Sequence, residues 1–427
     1  MRRNQRRLSP IGLLGVILLM TNYTLAASQL KILHSFKSDG KDGNGPTGSI
    51  VLDPVGNLYS TTEGGGAYGG CGTVFKMTPD GHGAWTESVL HSFNQSIDGC
   101  YPAAGLTFDE RGNLYSTTSS GMGNNDGGTL FELTPDPDSP SGWTTTVIHR
   151  FCHNFHGCKD GSDPEFSGVV IDHADRLYGT TRRDGINQGG VVYRLAPANK
   201  GWKETILYSF CGEQDCGDGF IAADATPILD KSNNLYGTAE QGGLSGCSLG
   251  CGLVFEVKHN STGWEEVILY QFHGSDGEHP VGGLVFDAKG DLYGTTQGGG
   301  KNGSGTVFKL LRAADGSWKH TTLYDFPQFT NGGGPVSTLQ LDKAGNLYGT
   351  AAGGIGPCSG GCGVVYKLAP GSNGKWKYTV LHRFTDAQND GAEPYATPVF
   401  DRTGKHLYGT TAFGGTDNMG IVYEITP

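Results

Sequence analysis

A short phrase built on Leu-Tyr occurs seven times along the chain and limits its possible folds more than any other feature. Each copy continues with Ser or Gly, then Thr, then Thr or Ala, and its tyrosine lies 55 to 63 residues after the previous one. The tyrosines are Tyr59, Tyr115, Tyr178, Tyr236, Tyr293, Tyr348 and Tyr408. A repeat of this length at a nearly constant pitch indicates one supersecondary unit used seven times. We therefore predict that residues 27–427 form a single domain, although a length of 427 residues alone would suggest two or three.

Each repeat contains four β-rich phrases bounded by Gly, Pro, Asp and Asn, and no stretch shows a helical period. The first phrase is an apolar run that ends in Asp, such as residues 105–109, and the second is the Leu-Tyr phrase. The third and fourth are represented by residues 72–75 and 89–93. Four antiparallel strands repeated seven times predict an all-β fold, a seven-bladed β-propeller of four-stranded blades.

The two ends of the chain favour a closed ring. The seventh repeat stops at Pro427 after its third phrase, whereas an unattached fourth phrase begins at Ile32 and ends at Phe36. We predict that this N-terminal strand completes the last blade and closes the propeller. A linear array of repeats would have no use for such a displaced strand.

Residues 1–26 have the composition of an export signal, with four arginines, a short apolar run over residues 11–20 and a small-residue cleavage site that ends at Ala26. The apolar run is shorter than the roughly 20 residues that span a bilayer. We therefore expect cleavage after Ala26, no stable membrane insertion, and a secreted or periplasmic protein. Loss of the four arginines leaves 27 of the 31 basic residues against 42 acidic ones, a net charge of about −15. Such a surface disfavours nucleic acid and anionic membranes, and we expect a monomer.

The ten cysteines agree with an oxidising compartment. Eight form close pairs in sequence, and the other two lie on neighbouring loops of the predicted fold. The predicted disulfides are Cys71–Cys100, Cys152–Cys158, Cys211–Cys216, Cys247–Cys251 and Cys358–Cys362. A zinc site would need converging thiols, whereas these pairs belong to different repeats, so we favour disulfides.

Two positions of the fourth phrase have both a functional and an architectural interpretation. Six repeats begin this phrase with Trp, as at Trp85, which suits either a ring of sugar-stacking side chains or one rigid aromatic packed in each blade. The His or Tyr near its centre, as at His91 and Tyr208, suits a metal ligand, a general base or a packed ring with a hydrogen-bonding tip. Because nearly every repeat has both positions, and because His and Tyr interchange, we favour architecture for both.

The consensus Gly-Asn-Leu-Tyr-Gly-Thr-Thr, followed by Gly-Gly and then Gly-Thr-Val-Phe-Lys-Leu, resembles the Gloeobacter/Verrucomicrobium (GloVer) tandem repeat of exported bacterial proteins. The resemblance covers essentially all of the mature chain. More distantly, the phrasing is similar to NHL-type and regucalcin-like propellers, in which the first phrase is the innermost strand. The resemblance implies a propeller fold and an exported location, but no reaction. The GloVer family has varied C-terminal anchoring signals, whereas this chain ends at its last predicted strand, so we expect no such anchor.

In this strand order the loops after the second and fourth phrases lie on the same face of the ring, which we call the loop face. It collects six aspartates, each followed by Gly, that suit either calcium ligation or turns into the inner strand, and their recurrence favours turns. They are Asp42, Asp98, Asp160, Asp218, Asp276 and Asp390. Regucalcin-like lactonases hold a metal in the channel with carboxylates and an amide. Here we expect strand ends such as Thr62, Thr181 and Ala239 to face the channel instead, and we predict neither a metal nor a cofactor.

Ligand contacts are best sought where the repeat varies. The residue after the Leu-Tyr phrase changes from copy to copy and is expected to line the mouth of the channel. The loop over residues 151–168 is longer than its counterparts and offers further candidate contacts: His153, His156, Asp160, Asp163 and Glu165. An arginine pair also replaces the usual glycines after the third Leu-Tyr phrase. The predicted ligand-binding residues are Glu63, His153, His156, Arg182, Arg183, Glu240 and Gln297.

No nucleophile elbow, phosphate loop, dinucleotide fingerprint or zinc-protease helix is present in the sequence, so we predict no catalytic residue. The sequence favours an exported binding protein that engages an extracellular glycan or protein on its loop face. Two alternatives stay open. One is a carbohydrate-active hydrolase or lyase at the channel mouth, which would need two carboxylates or a His or Tyr base with an Arg. The other is a purely structural surface module.

Overall fold

The computed structural model describes residues 28–122, 126–153, 157–222, 225–243, 246–328, 332–354, 356–358 and 361–427. The predicted leader and His156 lie outside these ranges. Within them the chain consists of β-strands and connecting loops, with a short 3₁₀ turn at Gln214–Cys216.

The strands follow the repeat. The first repeat and the segment before it contain β1 (Gln29–Ser35), β2 (Gly43–Asn44), β3 (Val51–Leu52), β4 (Leu58–Thr62), β5 (Gly64–Gly65), β6 (Thr73–Pro79) and β7 (Trp85–Ser92). The second contains β8 (Thr107–Phe108), β9 (Leu114–Thr118), β10 (Thr129–Pro135) and β11 (Trp143–Arg150). The third contains β12 (Val170–Ile171), β13 (Leu177–Thr181), β14 (Val191–Pro197) and β15 (Trp202–Ser209). The fourth contains β16 (Ile228–Leu229), β17 (Leu235–Ala239), β18 (Leu253–Asn260) and β19 (Gly263–Gln271).

The remaining three repeats have the same plan. The fifth contains β20 (Val285–Phe286), β21 (Leu292–Thr296), β22 (Thr306–Arg312) and β23 (Trp318–Asp325). The sixth contains β24 (Gly333–Pro335), β25 (Gln340–Leu341), β26 (Leu347–Gly353), β27 (Val364–Pro370) and β28 (Trp376–Arg383). The seventh contains β29 (Gly391–Ala392), β30 (Val399–Phe400), β31 (Leu407–Thr411), β32 (Phe413–Gly414) and β33 (Ile421–Thr426).

Each repeat forms one blade, an antiparallel sheet whose first strand is innermost. In blade 1 the order is β3-β4-β6-β7, with Val51 opposite Tyr59 and Leu58 opposite Met77. The innermost strand has only two residues, whereas the outermost has seven to nine, so each blade widens away from the axis. The prediction of an all-β, seven-bladed propeller with four-stranded blades is confirmed.

The N-terminal strand closes the ring, as predicted. β1 pairs with β33 to give blade 7 the order β1-β33-β31-β30, with Gln29 opposite Thr426 and Ser35 opposite Ile421. The observed strand begins three residues before the start of the predicted phrase and ends one residue before the end of that phrase. The backbone N–H of Phe36 still donates to the carbonyl of Gly420 at 3.0 Å, so the whole phrase belongs to the last blade.

The tryptophans at the start of the outermost strands pack against the preceding blade. Trp143 of blade 2 meets the ring of Tyr59 in blade 1 edge-on, with 6.2 Å between ring centroids. The same contact recurs as Trp85–Tyr408, Trp202–Tyr115, Trp318–Tyr236 and Trp376–Tyr293. These rings join neighbouring blades, which supports the architectural interpretation of the tryptophans.

A bulge near the end of each outermost strand places its His or Tyr on the loop side, and in six of the seven blades that side chain faces the aspartate of the following turn. In blade 1, Val74 pairs with His91 and Phe75 with Val89, so Leu90 is skipped, and the other six blades have the same offset. Asp98 then accepts a hydrogen bond from His91 at 2.7 Å and from the backbone N–H of Asn94. Tyr208 donates in the same way to Asp218 at 2.7 Å. His and Tyr interchange because either side chain donates to the Asp, which supports the turn interpretation of the aspartates.

The two sets of loops pair with each other on the loop face. β2 pairs with β5, β24 with β26 and β29 with β32, and single bridges such as Cys100 to Ser120 and Glu278 to Gly298 do the same elsewhere. All five predicted disulfides lie among these loops: Cys71–Cys100, Cys152–Cys158, Cys211–Cys216, Cys247–Cys251 and Cys358–Cys362. The loop face is therefore covalently braced, and the disulfide prediction is confirmed.

Candidate functional site

A cavity of about 640 Å³ lies on the axis of the ring. Every blade contributes wall residues from its innermost strand or from the turn before it, and these walls are mostly apolar. They include Leu106, Val169, Ile228, Leu284, Leu339 and Val399, with Thr47 and Ser49 from blade 1. At the loop face the lining becomes polar, with Arg182, Glu240, Gln297 and Tyr395. An apolar cleft with a few polar groups at one end is the usual form of a ligand site.

A second cavity of about 610 Å³ adjoins the first at Thr47, Phe166 and Tyr395. Its lining includes Glu63, Tyr101 and Glu393. We call the residues around the junction of the two cavities the mouth cluster. The cluster consists of Glu63, Tyr101, Glu165, Phe166, Arg182, Glu240, His279, Gln297, Glu393 and Tyr395.

Two variable positions of the repeat supply most of the mouth cluster. The first, which follows the Leu-Tyr strand, is the one predicted from the sequence, and it includes Glu63, Arg182, Glu240 and Gln297. The second precedes the proline that leads into the inner strand, and it includes Tyr101, His279 and Glu393. The backbone pairs the two positions, because the N–H of Gln297 donates to the carbonyl of His279 at 2.8 Å. The same bond recurs from Glu63 to Gly45, Ser119 to Tyr101, Arg182 to Asp163, Glu240 to Ile221 and Ala412 to Glu393.

The second position has a left-handed backbone although its residue is usually not glycine. Tyr101, Ile221, His279 and Glu393 have φ values of 63°, 59°, 54° and 57°. For such side chains this conformation costs roughly 1–2 kcal/mol each. Backbone strain of this kind collects at functional sites, where the surrounding structure enforces it. The variable side chains at this position are therefore candidates for ligand contact.

Arg182 is held between two carboxylates. Its guanidinium lies 3.1 Å from Glu165 and 3.5 Å from Glu240. Glu240 in turn lies 3.5 Å from Nδ1 of His279 and raises the pKa of that imidazole. Residues of blades 3, 4 and 5 are thus joined by charge across the rim of the cavity.

The mouth has more acid than base. Burial raises the pKa of Glu63. Burial also raises the pKa of Glu165, and the charges of Asp163 and Glu63 raise it further, against the opposing effect of Arg182. The hydroxyl of Tyr395 donates to Glu393 at 2.7 Å. The four glutamates of the mouth cluster therefore outnumber its two basic residues, Arg182 and His279.

The structure does not bring all predicted site residues together. Glu63, Arg182, Glu240 and Gln297 line the two cavities, as expected from their place in the repeat. Arg183 is 67% exposed and pairs with Asp163 at 3.4 Å, because successive residues of an extended chain point to opposite sides. His153 pairs with Asp126 at 2.8 Å and lines neither cavity. His156 lies outside the described residues.

The expected lining of Thr62, Thr181 and Ala239 is wrong. All three are fully buried, and the hydroxyl of Thr62 bonds that of Thr73 on the next strand at 2.8 Å. These strand ends therefore point into their own blades, and the channel wall comes from the first strand. Glu165 belongs to the long loop that the sequence singled out for ligand contact, whereas sequence reasoning missed Tyr101, Phe166, His279, Glu393 and Tyr395. The available signal was the variable residue before proline, which identifies Tyr101, His279 and Glu393.

No helix in the described part of the chain has both the length and the apolar character needed to cross a membrane.

The comparisons with known proteins identify a family and a general likeness. A family model described as the Gloeobacter/Verrucomicrobia repeat matches three overlapping segments, residues 15–153, 138–317 and 227–427. No curated protein matches the chain. A solved structure titled luciferin-regenerating enzyme is 14% identical, over 76% of this chain and 91% of that one, with a TM-score of 0.42. That similarity is too low to support any statement about activity.

Proposed function

The chain belongs to the Gloeobacter/Verrucomicrobia repeat family, and on that premise we propose that it is an exported binding protein that holds an extracellular glycan at its mouth cluster. The five disulfides and a family of exported repeat proteins indicate an extracellular location. Our proposal adds that residues 1–26 are the leader and that cleavage follows Ala26.

The distribution of exposed aromatic side chains carries this proposal. Among the described residues, most exposed aromatic side chains line the cavity that contains Glu63. They are Tyr101, Phe166, Tyr395 and Phe413, which are 36% to 46% exposed. A flat apolar ring beside polar groups suits the apolar face and the hydroxyls of a sugar. Exposed apolar patches with a polar rim mark binding sites.

The polar groups of the mouth complement those rings. Carboxylates accept hydrogen bonds from sugar hydroxyls, and Arg182 and Gln297 can donate to ring and hydroxyl oxygens. Because Arg182 is already held between Glu165 and Glu240, its orientation is fixed before a ligand arrives, which lowers the entropic cost of binding. The disulfides on the same face have the same effect on the loops.

The test is binding of the purified, oxidised protein to a panel of neutral, acidic and amino polysaccharides. We expect one class to be retained. Tyr101→Ala and Tyr395→Ala should each weaken its binding about tenfold or more, which corresponds to ~1.4 kcal/mol. Two controls test the location. Tyr68 is also an exposed aromatic but lines a different cavity, and Arg183 points away from the mouth, so Tyr68→Ala and Arg183→Ala should bind normally. Equal binding by all four variants, or retention of no glycan, would contradict the proposal.

A glycoside-cleaving enzyme is the second candidate, because two neighbouring carboxyl groups at the mouth have raised pKa values. Burial raises the pKa of both Glu63 and Glu165, and the charge of Glu63 raises the pKa of Glu165 further. Paired carboxyls with perturbed pKa values are the usual acid and base of glycosidases. The same panel separates the candidates. Release of reducing ends that Glu63→Gln and Glu165→Gln both abolish supports an enzyme, and retention without release supports a binder.

A further inference from the structure

A cluster at the outermost strands joins blades 2 and 3 and shares no residue with the mouth cluster. His149 comes from the outermost strand β11, Asp160 from the following loop, and Glu204 from the outermost strand β15 of the next blade. Nε2 of His149 lies 3.4 Å from the Asp160 carboxylate and 3.2 Å from the Glu204 carboxylate. The three side chains are 18%, 23% and 22% exposed, so the cluster lies close to the protein surface.

Hydrogen bonding alone does not account for this arrangement. Nε2 has one N–H, which can align well with only one of the two carboxylates. Within the described residues, Nε2 of His149 and Oε1 of Glu204 are both buried atoms without a hydrogen-bond partner of acceptable geometry. The neighbouring blade interface is different, since His91 donates to Asp98 at an ordinary 2.7 Å. Two carboxylates that converge on one imidazole nitrogen need a positive charge between them.

The spacing fits a metal ion. Zn²⁺ binds nitrogen and carboxylate oxygen at about 2.0–2.2 Å, so neighbouring ligand atoms of a tetrahedral site are about 3.3 Å apart. The two distances from Nε2, 3.2 and 3.4 Å, match that edge. All three ligand atoms lie within 4.8 Å of one another. We propose that His149, Asp160 and Glu204 bind a zinc ion between blades 2 and 3, with water in the fourth position.

The other blade interfaces provide a natural comparison. Glu204 lies opposite Leu195 in the sheet of blade 3. The residue at the same position is Thr145 in blade 2, opposite Leu133, and Glu87 in blade 1, opposite Met77. Thr145 therefore lies beside the His91–Asp98 pair without supplying an acid. Glu87 completes a second group of the same composition with His34 and Asp42, so the experiment must count ions per chain.

Two substitutions borrowed from other blades remove ligands while preserving the local fold. Glu204→Thr copies the residue found at Thr145. His149→Tyr copies Tyr208, whose hydroxyl donates to Asp218 at 2.7 Å, so the bond to Asp160 is expected to survive without the nitrogen ligand. Thr145→Ala is the matched control, because Thr145 occupies the position of Glu204 at the interface between blades 1 and 2, where no described acidic residue completes the group. Unfolding of each metal-free variant checks that the fold is retained.

The oxidised protein, stripped with a chelator, is titrated with Zn²⁺ alone and its bound metal is counted after dialysis. We expect Glu204→Thr and His149→Tyr each to bind one zinc ion fewer than the parent, and Thr145→Ala to bind the same number. Zinc should also raise the melting temperature of the parent more than that of either ligand variant. Equal stoichiometry in parent and ligand variants, or no bound zinc in the parent, would overturn the proposal and leave a protonated His149 as the bridging cation.

Discussion

At the residue scale, Glu266 is the clearest case of a charge that the fold does not compensate. It lies half-buried on β19, beside Asp218 and Glu213 of the preceding blade. Burial raises the pKa of Glu266, and the two acidic neighbours raise it further, to about 8. In the unfolded chain a glutamate ionises near pH ~4.3. The native state therefore holds a proton that the unfolded state has already lost between these two pH values.

This pKa difference predicts a stability that falls as pH rises. Below the unfolded pKa both states are protonated and Glu266 has no effect. Between about pH 4.5 and 8 the native state becomes progressively less favourable, because only the unfolded state ionises freely. We expect Glu266→Gln to leave the free energy of unfolding unchanged near pH 4.5 and to increase it by ~2 kcal/mol at pH 8, after discounting for partial exposure. Denaturant unfolding at the two pH values measures the difference.

The adjacent glutamate provides the control for that experiment. Glu265 lies on the same strand, more exposed, and pairs with Lys258 at 3.4 Å. Glu265→Gln should change stability by less than ~0.5 kcal/mol at either pH, as for most surface substitutions. A gain for Glu266→Gln that is equally large at pH 4.5 would show that something other than ionisation is responsible.

At the element scale, the tryptophans join consecutive blades. Trp143 packs against Tyr59 and the core of blade 1, although it belongs to blade 2. We expect Trp143→Ala to lower the free energy of unfolding by about 3 kcal/mol, the low end for a large aromatic because Trp143 is only partly buried. Thr146→Ala, at an exposed position of the same strand, should have little effect. Trp143→Ala also separates the two interpretations of the tryptophans. If they stacked on sugars, the variant would lose glycan binding but keep its stability.

The disulfides differ in what they join, and this predicts different contributions to stability. Cys71–Cys100 closes 29 residues and links the loops of blades 1 and 2, whereas Cys358–Cys362 closes four residues within one loop. The loss of chain entropy in the unfolded state gives about 3.5 kcal/mol for the long loop and about 2 kcal/mol for the short one. Replacing each pair with alanines and measuring denaturant unfolding tests the order. A larger cost for the Cys358–Cys362 pair would contradict it.

At the scale of the whole molecule, the architecture could be predicted from the sequence but much of the site could not. The periodic tyrosines predicted seven blades, the displaced N-terminal phrase predicted ring closure, and the close spacing of the cysteines predicted most of the disulfides. The mouth cluster depends on side-chain directions and loop conformations that do not repeat along the sequence. Thr62 is buried within its blade, and Tyr101 lines the second cavity from a left-handed backbone conformation that its residue type does not predict. Gly72 is another feature that the sequence of one repeat cannot explain. A Cβ added there would lie 2.6 Å from Pro102, which leads into the next blade.

Closure by β1 predicts how the ring responds to losing that strand. Without residues 28–36, β33 becomes an unpaired edge, and the apolar side chains of Leu30, Ile32, Leu33 and Phe36 no longer cover the clusters of blades 7 and 1. Burial of four such side chains corresponds to about 5 kcal/mol or more. We expect the shortened protein to unfold at lower denaturant and to associate through its free edge, as measured by unfolding curves and light scattering.

A circular permutant distinguishes loss of the strand from loss of its position in the sequence. In blade 1 the residues 80–84 connect the third and fourth strands, with Asp80 bonded to the carbonyl of Ala84 at 3.0 Å. The same five residues placed after Pro427, followed by residues 28–36, would let β1 return along β33 as an ordinary hairpin, because Gln29 lies opposite Thr426. The new chain would begin at Lys37. If β1 acts as the fourth strand of the last blade, this permutant recovers the stability of the parent. If it stays as unstable as the truncated protein, the N-terminal segment contributes something other than ring closure.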